Sequence, residues 1–230
     1  MIYVTGDIHG EVDRFSPLGM PGEENLKEGD FLLVAGDFGL VFWNEDLPNY
    51  EKGERALDLL AEKPYTVLFV DGNHENHRRL AEYPEEEWQG GRVHRIRKNV
   101  LHLMRGEIFT VEGKTLFAMG GAYSTDRYLR REGVSFWREE LPSDAEYKRA
   151  SENLKRHGYG VDLVLTHTAP TEIIRRMGRF PDAHDRELTG FLEWIMYSVR
   201  FSHWFFGHWH RDLFLPPNFR AVYLDLVPVE

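Results

Sequence analysis

The sequence predicts an α/β fold built around a largely parallel β-sheet. Short apolar runs recur along the 230-residue chain: "MIYVT", "FLLVA", "TVLFV", "VDLVL" and "HWFF". Runs of this length without polar alternation suit strands buried on both faces. Each run leads directly into a polar cluster, and helical patterns lie between them. The rhythm of strand, polar loop, helix and strand is that of an α/β sheet.

Taken in order, "MIYVT" leads into "GDIHG", "FLLVA" into "GDFG", and "TVLFV" into "DGNHE". Between the second and third runs, "ERALDLLAEK" (54–63) has helical spacing. The stretch "RVHRIRKNVLHLMRGEIFTVEGKTLFAMGG" reads as short strands with a turn at "EGK" and no long helix, so the sheet turns antiparallel there. Residues 123–158 are the most charged segment. They read as a cap-like insertion followed by a surface helix from about Ser143, where serine, aspartate and glutamate suit a helix start. "VDLVL" leads into "THTAP", and "ELTGFLEWIMYSV" (187–199) places Leu188, Phe191, Leu192, Ile195, Met196 and Val199 at helix spacing. "HWFF" then leads into "GHWH". No repeat or linker interrupts the chain, so residues 1–230 read as a single domain with the insertion at about 123–158.

Composition narrows the functional classes. A net charge of -10 argues against general nucleic-acid binding and against an anionic membrane surface, since both favour a basic face. A small anionic substrate is compatible with it, because a local site can differ from the whole. The absence of cysteine removes disulfides and thiolate metal sites. No apolar run approaches the roughly 20 residues needed to span a bilayer. The first residues read as a strand with no signal-peptide pattern, so a cytoplasmic protein is the default expectation.

In an α/β sheet, function gathers at the loops leaving the carboxyl ends of strands. Those loops carry Asp7, His9, Asp37, Asn73, His74, His167, His208 and His210. Distant in sequence, they converge in space once the strands align. Carboxylate, amide and imidazole donors suit manganese, iron or zinc. They are too many for one tetrahedral ion and enough for two octahedral ions with waters. A carboxylate shared by two cations about 3.5–4 Å apart is the usual device for in-line displacement at phosphorus. Gly6, Gly36, Gly72 and Gly207 stand beside these residues, where sharp turns and close backbone approach are expected.

The order "GDIHG", "GDFG", "GNHE", "TH" and "GHWH" resembles the calcineurin-like metallophosphoesterases. The match runs from residue 6 to residue 210. Any one motif is weak; together, each at a strand end, they are specific. The resemblance implies a four-layer α/β/β/α sandwich with two mixed sheets. It implies one divalent ion held by Asp7, His9, Asp37 and His210, and a second held by Asp37, Asn73, His167 and His208, with manganese or iron favoured over zinc. Asp37 would bridge them, together with a hydroxide that attacks phosphorus directly. His74 would face the phosphate as the catalytic residue and protonate or stabilise the leaving group. The expected activity is hydrolysis of a small phosphorylated substrate, foremost a phosphomonoester. A phosphodiester or nucleotide is the alternative, and a non-catalytic scaffold ranks lower because the whole ligand set is intact.

The sequence departs from the family's protein phosphatases at "GDFGLVF". Leu40 stands where an aspartate would orient the catalytic histidine, and the phosphate-binding arginine is missing. Glu75 and Asp71 are two candidate replacements for the orienting role. Arg127, Arg130, Arg131 and Arg138 in the insertion are candidates for the substrate's anionic group, through bidentate contact. A solvated face is the alternative reading of that charge run. Phe42 and Trp43 follow the second metal loop and either wall the pocket or pack in the core. His184 is a candidate for the mouth of the site.

Overall fold

The computed structural model describes residues 1–229. In chain order the elements are β1 (Ile2–Thr5), β2 (Phe31–Val34), α1 (Tyr50–Ala61), β3 (Thr66–Phe69), α2 (His77–Leu80), β4 (Glu85–Trp88), β5 (Gly91–Arg97) and β6 (Val100–Leu103). Then follow β7 (Ile108–Val111), β8 (Lys114–Met119), α3 (Asp144–Arg156), β9 (Leu163–Thr166), α4 (Thr171–Arg176), α5 (Arg186–Ser198), β10 (His203–Phe206), β11 (Leu213–Leu215), β12 (Phe219–Ala221) and β13 (Val227–Val229).

These strands form two mixed sheets. The seven-stranded sheet has the order β13-β1-β2-β3-β6-β5-β4, and the six-stranded sheet β11-β12-β10-β9-β8-β7. In the first, β1, β2, β3 and β6 are parallel, while β13, β5 and β4 join antiparallel. In the second, β8, β9, β10 and β12 are parallel, with β7 and β11 antiparallel at the edges. The stretch 92–121 is therefore divided between the sheets. Its β5–β6 and β7–β8 pairs are antiparallel as expected, but β6 and β8 also pair parallel with β3 and β9.

The apolar runs are continuous because each strand is buried on both sides. Val4, Leu33, Leu68 and Leu101 of one sheet meet Leu116, Leu163, Leu165 and Phe205 of the other. The alternate residues Leu32, Val34, Val67 and Phe69 face outward onto Ala56, Leu57 and Leu60 of α1. On the opposite outer face, Phe117, Val164, Trp204 and Phe206 pack against Leu154 of α3, Ile173 and Ile174 of α4, and Leu188, Leu192 and Ile195 of α5. Burying one such side chain is worth about 1.5–3 kcal/mol. The four layers of helix, sheet, sheet and helix follow from these three clusters.

The charged segment divides at Ser143. Residues before it form two short 3-10 turns, Arg127–Leu129 and Arg138–Glu140, near the carboxyl ends of the strands. Ser143 caps α3 through a capping box with Glu146. That helix buries Ala150 and Leu154 in the outer core, so it belongs to the helical layer. Among the described residues no helix is long and apolar enough to cross a membrane.

Candidate metal centre

The loops after β1, β2, β3, β9 and β10 meet at one edge of the sandwich, where backbone bonds lock them together. The Asp37 carbonyl accepts from the amides of Ile8 and His9 at 2.9 and 2.7 Å. The His208 amide donates to Asp7 Oδ1 at 3.0 Å, and the His74 amide to Asp37 Oδ1 at 2.7 Å. Glu75, fully buried, accepts from the amides of Gly39 at 3.0 Å and Gly72 at 2.6 Å, so its carboxylate braces two of the loops.

The side chains gather in three overlapping groups. Asp7, His9 and His210 form one, Asp7, Asp37 and His167 another, and His9, Asp37 and His74 a third, with candidate ligand atoms within 4.8 Å of one another. His9 Nε2 lies 3.0 Å from His210 Nε2. His167 Nε2 lies 3.3 Å from Asp37 Oδ1 and 3.2 Å from Asn73 Oδ1. The ring of His208 sits 5.0 Å from that of His167. All seven sequence-predicted ligands are thus brought to one place, with Asp37 between His9, 3.9 Å from its Oδ2, and His167. His74 adjoins both His9 and Asp37.

Four of these residues hold a left-handed backbone. His9, Asp37, His208 and His210 have φ of 53, 46, 67 and 48°. Such conformations cost an L-residue energy and cluster where function requires them. Gly36, at φ +90°, leaves room that no side chain could: a Cβ there would lie 2.2 Å from His167 Nδ1. A Cβ on Gly72 would lie 2.2 Å from Asp37 Oδ1.

This donor set fits divalent cations. Asp7 Oδ2 is buried without a hydrogen-bond partner, although His210 Nε2 is 3.0 Å away without suitable geometry. Burial, with the charges of Asp7 and Glu75, pushes the Asp37 carboxyl well above its ordinary range. Burial, with His167 nearby, pushes His208 down to about 3. Asp37, a buried carboxyl driven toward its neutral form, beside His167 and His208 that burial pushes down, is what a cation site looks like before its charge is counted, while His210 is pushed up by its contact with Asp7. His167 is fixed by its second nitrogen, with Nδ1 2.8 Å from the Ala35 carbonyl, as metal-ligating histidines usually are.

The sequence motifs match the calcineurin-like phosphoesterase family over residues 1–212. The chain belongs to that family. It is 24% identical over 233 residues to a lariat debranching enzyme of Drosophila pseudoobscura pseudoobscura, covering 91% of this chain and 42% of the relative. The Drosophila melanogaster lariat debranching enzyme matches at 24% identity with the same coverage, and that of Caenorhabditis elegans at 22% over 81% of this chain and 39% of its own length. The chain therefore spans about two fifths of the length of the curated relatives it matches. A crystal structure of phosphopantetheinyl hydrolase from Mycobacterium tuberculosis aligns over 96% of this chain and 89% of that one, at 16% identity and a TM-score of 0.42.

Within this family member the surroundings of His74 differ from what the sequence offered. Neither carboxylate candidate reaches its ring. Glu75 is occupied with the loop amides. Asp71 is buried in an ion pair with Arg105, Nε to Oδ2 at 2.8 Å, and accepts from His102 at 3.1 Å. Arg130 Nη2 instead lies 2.9 Å from His74 Nε2, and Arg130 Nε pairs with Asp126 at 2.8 Å. Burial and the Arg130 charge push His74 down to about 3. The Phe42 ring lies over His74, centroids 6.4 Å apart.

Of the four arginines, Arg130 alone contacts His74 among the described contacts. Arg127 pairs with the buried Glu140 at 2.7 Å and lies over the Tyr123 ring. Arg138 pairs with Glu132 at 2.9 Å and is 78% exposed, and Arg131 is exposed. His184 stacks on Tyr123 at 4.3 Å.

Three supporting groups had no signal in the sequence. Ser124 accepts from Asn73 Nδ2 at 3.2 Å and donates to Glu140 at 2.9 Å, which turns the Asn73 oxygen toward His167. Arg14 donates to the Asp7 carbonyl at 3.2 Å and the Tyr223 carbonyl at 2.8 Å. Tyr223 stacks on His210, centroids 4.7 Å apart. No motif links residues 14, 124 and 223 to the ligands.

Proposed function

We propose that this chain hydrolyses phosphate esters, foremost monoesters, using two divalent cations. Asp7, His9, Asp37 and His210 would hold one, and Asp37, Asn73, His167 and His208 the other, with manganese or iron favoured. When bound, such a pair neutralises phosphoryl oxygens and ionises water near neutral pH. The chain's residues supply the rest. Asp37 ties the two halves together, Ser124 and the Ala35 carbonyl orient Asn73 and His167, and His74 faces the leaving oxygen. Arg130 would turn from His74 to the phosphoryl group, whose charge it matches with a planar fork. Phosphoryl transfer asks mainly for such positioning and charge stabilisation.

The observation that carries this reading is the convergence of all seven ligands with His74 and Arg130 at one edge. A phosphoryl group with one organic arm suits it, since a cleft opens on the His9–His74 side. The similarity to lariat debranching enzymes favours a second reading, cleavage of a phosphodiester in a nucleotide substrate. The net charge of -10 weighs against a broad nucleic-acid groove and for a small substrate.

The test is metal content together with rates on matched aryl mono- and diesters, for the parent, Asp37→Asn and Arg130→Ala. Asp37→Asn is expected to lose both metal and activity. Arg130→Ala is expected to keep metal and raise KM about tenfold, more on monoesters. Full activity in Asp37→Asn refutes the shared ligand, and faster diester turnover in the parent favours the second reading.

A further inference from the structure

A cleft of about 730 Å³ opens beside the metal centre, sharing His9 and His74 with it. A phosphoryl group fills a small part of that volume, which lies in the range that encloses a drug-sized molecule. Phe42 and Trp43 line it, together with the α1 surface from Lys52 to Leu59 and the loop residues Glu11 to Asp13.

The aromatic wall is held rigidly. The Trp43 carbonyl accepts from Arg79 at 3.1 Å. The next residue, Asn44, donates to the Gly133 carbonyl at 3.0 Å and accepts from Asn76 at 2.6 Å. Phe42 meets Trp43 edge to face at 5.1 Å and the buried Trp137 at 5.3 Å. Trp43 itself is only half-buried, so a packed platform offers an indole to the cleft. An aromatic side chain on a pinned backbone, backed by a second ring, binds a flat ligand at reduced entropic cost.

Charge narrows the occupant. Glu11 and Asp13 line the cleft along with Lys52 and Arg55, two residues of each sign, and Arg55 is paired with Glu51 at 3.3 Å. No cationic excess selects a second anionic group. We propose that this cleft is the leaving-group subsite and takes an uncharged alcohol bearing a fused aromatic ring system, of nucleoside size, packed on Trp43. The proposal rests on the phosphoester hydrolase reading for its direction: His74 faces the leaving oxygen, and the cleft begins at His74.

The experiment compares parent, Trp43→Ala and Trp43→Phe on phenyl and 2-naphthyl phosphate, whose leaving groups differ by one fused ring. Binding of the product alcohol 2-naphthol to the same proteins is measured by calorimetry. Trp43→Ala removes the surface on which the second fused ring stacks, so the naphthyl-to-phenyl ratio of kcat/KM should fall about tenfold, equivalent to about 1.4 kcal/mol. The Kd for 2-naphthol should rise by a similar factor, and Trp43→Phe should recover much of both. Equal losses on the two esters, or naphthol binding that ignores Trp43, overturn the subsite. Naphthol bound through Trp43 with no ester hydrolysed supports the subsite and refutes the hydrolase reading instead.

Discussion

Gly36→Ala tests how the strand-end loops create the centre. A Cβ at Gly36 would stand 2.2 Å from His167 Nδ1, where ordinary contact begins at 3.4 Å, an overlap of about 1.2 Å. The obstacle is a fully buried ring with Nδ1 2.8 Å from the Ala35 carbonyl, so it can yield only by breaking that contact. Holding alanine at φ +90° adds roughly 1–2 kcal/mol of strain. Displacing the packed ring costs about 1–3 kcal/mol, and stranding the Ala35 carbonyl about 1–3 kcal/mol. A total of at least ~3 kcal/mol should lower Tm by 6 °C or more at this chain length. Metal content should fall as well, because His167 moves. Gly190→Ala is the internal control. Gly190 lies within α5 with nothing within 4 Å of a built Cβ, so alanine there should stabilise by ~0.5–1 kcal/mol. Thermal melts and metal analysis on both variants decide the matter. A Gly36→Ala protein that melts within about 2 °C of the parent with full metal content refutes the packing argument.

Arg105→Met strands the buried Asp71 carboxylate, which the Arg105 charge, with help from His102, holds below the usual range against burial. A loss of about 3–5 kcal/mol is expected in denaturant titrations. Ser124→Ala frees the Asn73 amide, so affinity for one of two metal ions should drop about 10-fold or more, read by competition with a chelator, while the other ion is little affected. His77 is pushed down to about 3, first by burial and then by Arg105, and its Nε2 has no hydrogen-bond partner. Its neutral form is the one that folds. The associated stability is therefore whole above pH 6.5 and declines as pH falls toward 3, by up to ~1.4 kcal/mol per pH unit. In chelator-treated protein, His77→Leu should flatten that slope, and an unchanged slope would count against the assignment.

Much was legible in the sequence because its signals are local. The five apolar runs became β1, β2, β3, β9 and β10, and the three helical patterns became α1, α3 and α5. The segment "EEEW" was silent, since β4 is a half-exposed edge strand with little apolar content. The C-terminal strands β11, β12 and β13 were equally silent, being three residues each. The parallel pairing of β6 and β8 with strands far away was hidden, because antiparallel neighbours satisfy the same local pattern.

By itself the sequence determined which side chains could meet at the centre, because strand ends and their loops are set by local apolar patterning. Only the tertiary structure decided what surrounds them. Arg130 at His74, Ser124 behind Asn73 and the Trp43 wall arise from side chains tens of residues apart in sequence, and no spacing rule encodes such contacts. Burial also shifts the proton affinity of the site: an aspartate in a short motif has an ordinary affinity for protons, and Asp37 is pushed above it only once packed away from water beside Asp7 and Glu75.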